Sequence, residues 1–399
     1  MSNRLFVTGM FRSGTTLFAR MLHAHRSVAC ASDPFRPFFN CFRDAIAADA
    51  GVDVEPFAPL DDYFASEDGL TVFDAVQTAT MDRPFPADTR TSLLDRTRSH
   101  AEPFSPKVTD RLDGIRGDSF RDVFDDLLSY VPAAYGNGDE KWVATKEVWT
   151  TEFTPALARA YPESKFVHVV RDPRAVCASK NVQANSKYSW LFLTRQWRKI
   201  ATLARMYDEQ FPERVHVVRY EDLVRSPRAT VLELCEFLDI DMDDRLLDPS
   251  NFVDGSGDQW LQNSSYEGST ASFDTSAVSK WREVLTPRQH EYVEQLCYSE
   301  MLSHRYTPDA TFGLSEQLQT DPPRVPDTEL ADWITEYYGG WSLFDHVGAV
   351  ADEALRQRVL STDQPLSAFD DRLLRGFFFE RDYAATAREL LEKYQQRDI

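Results

Sequence analysis

A chain of 399 residues with 42% apolar and 27% charged residues has material for one sizeable core with an appendage, or for two modest domains. Its 44 basic and 64 acidic residues leave a net charge of −20, which argues against nucleic acid and anionic membrane surfaces as partners. Five cysteines (Cys30, Cys41, Cys177, Cys235 and Cys297), odd in number and without CxxC spacing, indicate neither a disulfide framework nor a zinc site, and they suit a reducing compartment.

The chain opens on a short apolar strand, Leu5–Thr8, a loop from Gly9 to Gly14, and a helix from Thr15 to about His25. A strand feeding a glycine loop that opens a helix aims backbone N–H groups and the positive end of a helix dipole at one point, which suits an anion. The two glycines have Walker-loop spacing, but Thr15 stands where a lysine would reach the β- and γ-phosphates, and the nearest cation is Arg12 inside the loop. One guanidinium and three hydroxyls, from Arg12, Ser13, Thr15 and Thr16, beside Gly14 have little use in a core. Ser27–Ser32 reads as a second strand, ending at Asp33-Pro34 on the edge where parallel sheets hold ligands. On composition alone Asp33 starts a turn.

Phe35 to about Asn137 reads as an insertion with short helices at Phe38–Ala48, Leu70–Ala79 and Phe120–Val131. Within it Arg36 reads as solvated, with contact to an anionic acceptor as the other reading. Lys141–Thr145 is a strand leading into Lys146-Glu147, with Trp149 close behind, and Lys146 is one of only nine lysines. Lys165–Val170 is a buried strand running into Arg171-Asp172-Pro173, where a helix begins, and Ser179 follows eight positions after Arg171. A helix from Thr194 to about Gln210 leads to a strand at Val215–Arg219 and then Tyr220-Glu221-Asp222. Asn251–Ala277, polar and rich in Gly and Ser, is expected as a loop holding Ser264 and Ser265, ahead of Lys280-Trp281-Arg282. Thr286-Pro287 caps a helix at Arg288–His304. From Thr307 the pattern is helical at Asp327–Tyr338, Leu343–Val359, Leu366–Phe378 and Tyr383–Tyr394. The eight histidines show no HExxH or paired ligand spacing, so no metal site is expected.

MFRSGTTLFARML resembles the 5′-phosphosulfate loop of the sulfotransferases that use 3′-phosphoadenosine 5′-phosphosulfate (PAPS), most closely the tyrosylprotein and carbohydrate branches. RDPRAVCAS resembles their 3′-phosphate motif, and VRYEDLVRSPRATVLELCEFLDI their next block. The resemblance covers roughly Arg4 to Tyr306 and implies an α/β fold, a P-loop-like parallel sheet flanked by helices, with the helical insertion at about 35–137 and a C-terminal helical domain at 307–399. It implies that Arg12, Ser13, Gly14, Thr15 and Thr16 bind the 5′ side of the nucleotide, that Arg171 and Ser179, with Lys280 and Arg282, take the 3′-phosphate, and that Tyr220 and Trp281 belong to the nucleotide site. Asp33 would be the catalytic base, shorter than the glutamate usual there, with Lys146, Arg12 and the loop serine Ser265 as its catalytic companions.

The implied reaction moves a sulfuryl group from PAPS to an acceptor hydroxyl and leaves 3′-phosphoadenosine 5′-phosphate (PAP), with no metal. A glycan or small metabolite is the favoured acceptor, with a peptide tyrosine the other. A P-loop phosphotransferase and a non-catalytic PAP-binding protein are the alternatives. With no signal peptide ahead of the first strand and no apolar run approaching a membrane span, the protein is expected in the cytosol, with the C-terminal helices serving dimerisation, acceptor binding or support.

Overall fold

The computed structural model describes residues 2–57, 67–179, 189–260, 273–309 and 343–395. Five parallel strands, β1 (Asn3–Gly9), β2 (Val28–Ser32), β3 (Trp142–Lys146), β4 (Lys165–Val170) and β5 (Val215–Arg219), form one sheet in the order β2-β3-β1-β4-β5. β2, β3 and all but the first residue of β4 are buried, as parallel strands covered on both faces are, whereas β5 is only partly so. The register pairs Val7 of β1 and Ser32 of β2 with Lys146 of β3, and Gly9 of β1 with Val169 of β4. All five C-terminal ends therefore lie along one edge, and the expected parallel α/β architecture is the one observed.

The chain divides into two compact units. The first, Met1–Tyr63, Thr71–Arg171 and Ala204–Thr275, holds the sheet. Its helix α1 (Thr15–His23) packs on β1 and β2 through Leu17, Phe18, Met21 and Leu22, an apolar stripe at helical spacing. Helix α2 (Arg36–Asp49) and the helix Phe120–Tyr135 face each other through phenylalanines, Phe38 stacking on Phe124 at 4.6 Å between ring centroids. A capping box starts the second of these: Ser119 Oγ accepts from Asp122 N–H at 3.1 Å, and Asp122 Oδ2 accepts from Ser119 N–H at 3.2 Å.

The second unit, Phe64–Leu70, Asp172–Leu203 and Ser276–Ile399, is helical where it is described. Thr286 and Gln289 form the expected cap of the helix Pro287–Ser303. Val359, Leu374, Phe378, Tyr383, Ala384 and Ala387 form an apolar cluster among the C-terminal helices. The helix Leu343–Ser361 is also tied by two buried ion pairs, Glu353 with Arg198 and Arg356 with Glu300. Burial alone would raise the Glu353 carboxyl, but the adjoining Arg198 guanidinium holds it below the usual carboxylate range. Glu353→Ala strands Arg198 without its partner, so denaturant unfolding should show a loss of about 3–5 kcal/mol. The expected helix at Asp327–Tyr338 lies outside the described residues.

Candidate active site

The loop after β1 owes its shape to two glycines and one strained arginine. Gly9 has φ 154°, and a Cβ there would run into the carbonyl oxygen of Val169 on the neighbouring strand. Gly14 has φ 85°, and a Cβ there would strike the ring of Tyr220. Arg12 takes φ 70°, a left-handed conformation that a non-glycine residue adopts only under constraint. Ser13 N–H donates to Met10 carbonyl at 3.1 Å, closing the turn, and Phe18 N–H donates to Gly14 carbonyl, opening α1. The first N–H groups of a helix have no partner within it, so those of α1 face the loop's concavity. Gly14→Ala combines positive-φ strain with the collision at Tyr220. It should cost the fold ~1–2 kcal/mol in denaturant unfolding, the worth of forcing a non-glycine residue into that conformation.

Strand ends supply the remaining groups of this unit. Ser32 of β2 leads to Asp33, which is buried and has φ 48°. Two residues at the end of β3, Lys146 and Val148, hold Asp33. Its N–H donates to Lys146 carbonyl at 2.6 Å, Lys146 Nζ donates to its Oδ2, and Val148 N–H donates to its Oδ1 at 3.3 Å. Lys146 is 1% exposed and Asp33 7%, so this is a buried ion pair at the ligand-holding edge of the sheet. Arg171, just past β4, donates from Nη1 to the carbonyl of Arg12 at 3.0 Å and lies 4.2 Å above the Tyr220 ring. Tyr220, just past β5, thus fills the space between Gly14 and Arg171. Each of the five strands brings a group chosen from the sequence to one edge: the Gly9–Thr16 loop, Asp33, Lys146, Arg171 and Tyr220.

Sequence reasoning passed over Glu147. It is 2% exposed, its Oε1 accepts from Phe35 N–H, and its Oε2 has no hydrogen-bond partner among the described residues. Burial, then the nearby Asp33 carboxylate, pushes its carboxyl well above the usual range. The available signal was its position: an acid directly after a buried strand, followed by Val148 and Trp149, has little water to reach. Arg36 at the start of α2 lies 3.3 Å, by Nη2, from Nδ1 of His100, whose imidazole is lowered to about 4 by burial and then by Arg36.

In the second unit, Asp172 caps the helix Pro173–Cys177, its Oδ1 accepting from Arg174 N–H at 2.9 Å. The Arg174 guanidinium bridges Asp172 and Glu294 and lies 4.2 Å from the Trp281 ring, as does that of Arg282. Arg282 also pairs with Asp309, and Lys280 is half-buried beside them in sequence. Ser179 is fully buried and its Oγ has no partner among the described residues. His290, Glu294 and Asp309 bring ligand-type atoms within 4.8 Å of one another, yet Glu294 and Asp309 already accept from Arg174 and Arg282, which makes the group an ion-pair network. Ser265 lies outside the described residues.

The loop suits a phosphate or sulfate oxygen by its chemistry. Ser13 Oγ is fully buried and unpartnered among the described residues, beside first-turn amides and the half-buried Arg12. Fold and site together define a doubly wound α/β protein with an anion loop on its central strand and a buried acid–lysine pair on the two strands to one side of it. A sequence model described as "Sulfotransferase family" matches residues 4–244, and the chain belongs to that family. Two nematode proteins, each named "Putative protein-tyrosine sulfotransferase", are 24% identical. The one from Caenorhabditis elegans aligns over 169 residues, 40% of this chain and 65% of its own; the one from Caenorhabditis briggsae aligns over 175, 42% and 61%. The chain thus spans somewhat under two thirds of the length of these relatives. Among solved structures, the sulfotransferase domain of the Synechococcus PCC 7002 olefin synthase is similar with TM-score 0.42 and 19% identity, over 77% of this chain and 96% of that one. A sulfotransferase domain from the curacin biosynthetic pathway gives 0.42 and 18%, over 77% and 99%.

Among the described residues no helix is long and apolar enough to cross a membrane.

Proposed function

We propose that this member of the sulfotransferase family transfers the sulfuryl group of PAPS to an acceptor hydroxyl, with Asp33 as base. The observation that carries the reading is the buried Asp33–Lys146 pair at the end of β2 and β3, next in the sheet to the strand that opens the anion loop. An alcohol needs a base within hydrogen-bond reach as it attacks sulfur, and Asp33 is a buried carboxylate at that edge. As the bond from sulfur to the 5′-phosphate oxygen breaks, charge grows on that oxygen. Loop amides, Arg12, Thr15, Thr16 and Lys146 are the donors proposed to meet it. Lys146 has three N–H donors, so one can stay on Asp33 while another turns to the departing oxygen.

Arg171, Ser179, Tyr220, Lys280, Trp281 and Arg282 keep the nucleotide-binding roles that the resemblance gives them, and Ser265 its catalytic one. A P-loop phosphotransferase is disfavoured by Thr15 at the lysine position, and no metal is proposed. A glycan or small metabolite remains the proposed acceptor class; the names of the nematode relatives favour a peptide tyrosine as the second reading. The proposed setting is cytosolic.

Calorimetric titration tests the donor half. PAP should bind, and AMP, which differs from it only in lacking the 3′-phosphate, should bind about tenfold or more weaker, the worth of one charge-assisted contact. Equal affinities would remove the 3′-phosphate from the account, and absence of heat with both would remove the nucleotide.

A further inference from the structure

We propose that Glu147 is a positioning residue for this site: its carboxyl clamps the Asp33–Phe35 turn onto the end of β3 and so fixes how Asp33 meets Lys146. The inference rests on the sulfotransferase reading for its kinetic consequence and on geometry alone for the clamp. Asp33 sits in a left-handed conformation, uncommon outside glycine though aspartate is among the residues that adopt it most readily. On one side its N–H and both carboxylate oxygens are bound by Lys146 and Val148. Two residues further on, Phe35 N–H is bound by Glu147 Oε1. Glu147 is itself fixed, its N–H donating to Val7 carbonyl at 2.9 Å and its carbonyl accepting from Thr150 Oγ1 at 3.2 Å. Three successive residues of one strand end therefore grip both ends of one three-residue turn.

This clamp works with the carboxyl uncharged. Glu147 Oε2 is buried and unpartnered among the described residues, and Glu147 lines a small cavity with the uncharged Phe6, Thr8, Thr145, Thr150 and Thr154. The charged groups that act on it are Asp33 after β2, Lys146 on β3 and Arg36 at the start of α2. Lys146 is already committed to Asp33, so a second carboxylate here would compete for the same ammonium. A protonated Glu147 still accepts at Oε1 and leaves the charge to Asp33.

The linkage has a definite sign. A carboxyl held protonated by the fold gives up that preference as pH rises above the ordinary glutamate value of about 4.3, because the unfolded chain ionises first. Wild type should therefore lose stability relative to Glu147→Gln as pH rises from that value, while the two converge below it. The decisive set is wild type, Glu147→Gln and Glu147→Ala, each measured by thermal unfolding across pH and by transfer kinetics from PAPS at saturating acceptor.

Glu147→Gln keeps the Oε1 acceptor and should retain kcat within about threefold, whereas Glu147→Ala should lower kcat by about tenfold or more with KM for PAPS unchanged. A pH-independent gap between the Gln variant and wild type would show a charged Glu147 and overturn the uncharged clamp. Loss of kcat in Gln equal to that in Ala, or an Ala variant as active as wild type, would overturn the positioning role. If wild type itself transfers nothing, the sulfotransferase reading fails, while the pH series still decides the state of Glu147.

Discussion

Asp33→Asn should lower sulfuryl transfer by about a hundredfold or more while leaving PAP affinity within about threefold of wild type. Asparagine matches aspartate in size and tolerates the same positive φ, so the turn and its backbone hydrogen bond to Lys146 survive. What is lost is the negative charge and with it the capacity to take a proton. Turnover at saturating PAPS, measured beside a calorimetric PAP titration, separates the two effects. Unchanged turnover would remove Asp33 from the base role, and parallel loss of turnover and PAP affinity would make it a binding residue instead.

Lys146→Met should have the larger effect, because in the proposed mechanism the ammonium serves the resting pair and the departing oxygen alike. Turnover should fall by about a thousandfold, comparable to removing a preorganised donor from an oxyanion site. Stability should fall too, by about 3–5 kcal/mol, since a buried Asp33 is left facing a thioether. The double variant Asp33→Asn, Lys146→Met tests whether these losses share a cause. It should recover most of the stability and none of the turnover, whereas additive stability losses would mean that the two side chains do not act as a pair.

All five strands were legible because a buried parallel strand is a short apolar run with little else it can become. Each expectation fell within a residue or two of the observed bounds. The placement of the candidate residues in the sheet unit was legible for a related reason: every one of them sits at the C-terminal end of such a run. The helix Arg90–Ala101 escaped because its sequence, RTSLLDRTRSHA, is polar nearly all round. It buries only Leu93, Thr97 and Ala101, one position per turn, too narrow a stripe to read.

A single helix expected over Leu366–Phe378 is broken by Asp370, whose carboxylate accepts from the N–H groups of Arg372 and Leu373 and starts a fresh helix at Asp371. Pro132, conversely, does not end the helix Phe120–Tyr135, which continues through it by one further turn. Glu147 escaped because the significance of its side chain lies in a backbone N–H 112 positions away in the chain, a pairing that no local pattern encodes.

Transfer of label from sulfur-labelled PAPS, with fractionated lysate of the source cells as acceptor, tests the central claim most directly when wild type and Asp33→Asn are run side by side. The account predicts that at least one fraction gains label with wild type, in proportion to the PAP released, and that the same fraction stays unlabelled with Asp33→Asn. PAP binding without label in any fraction, or equal label from both proteins, would contradict it.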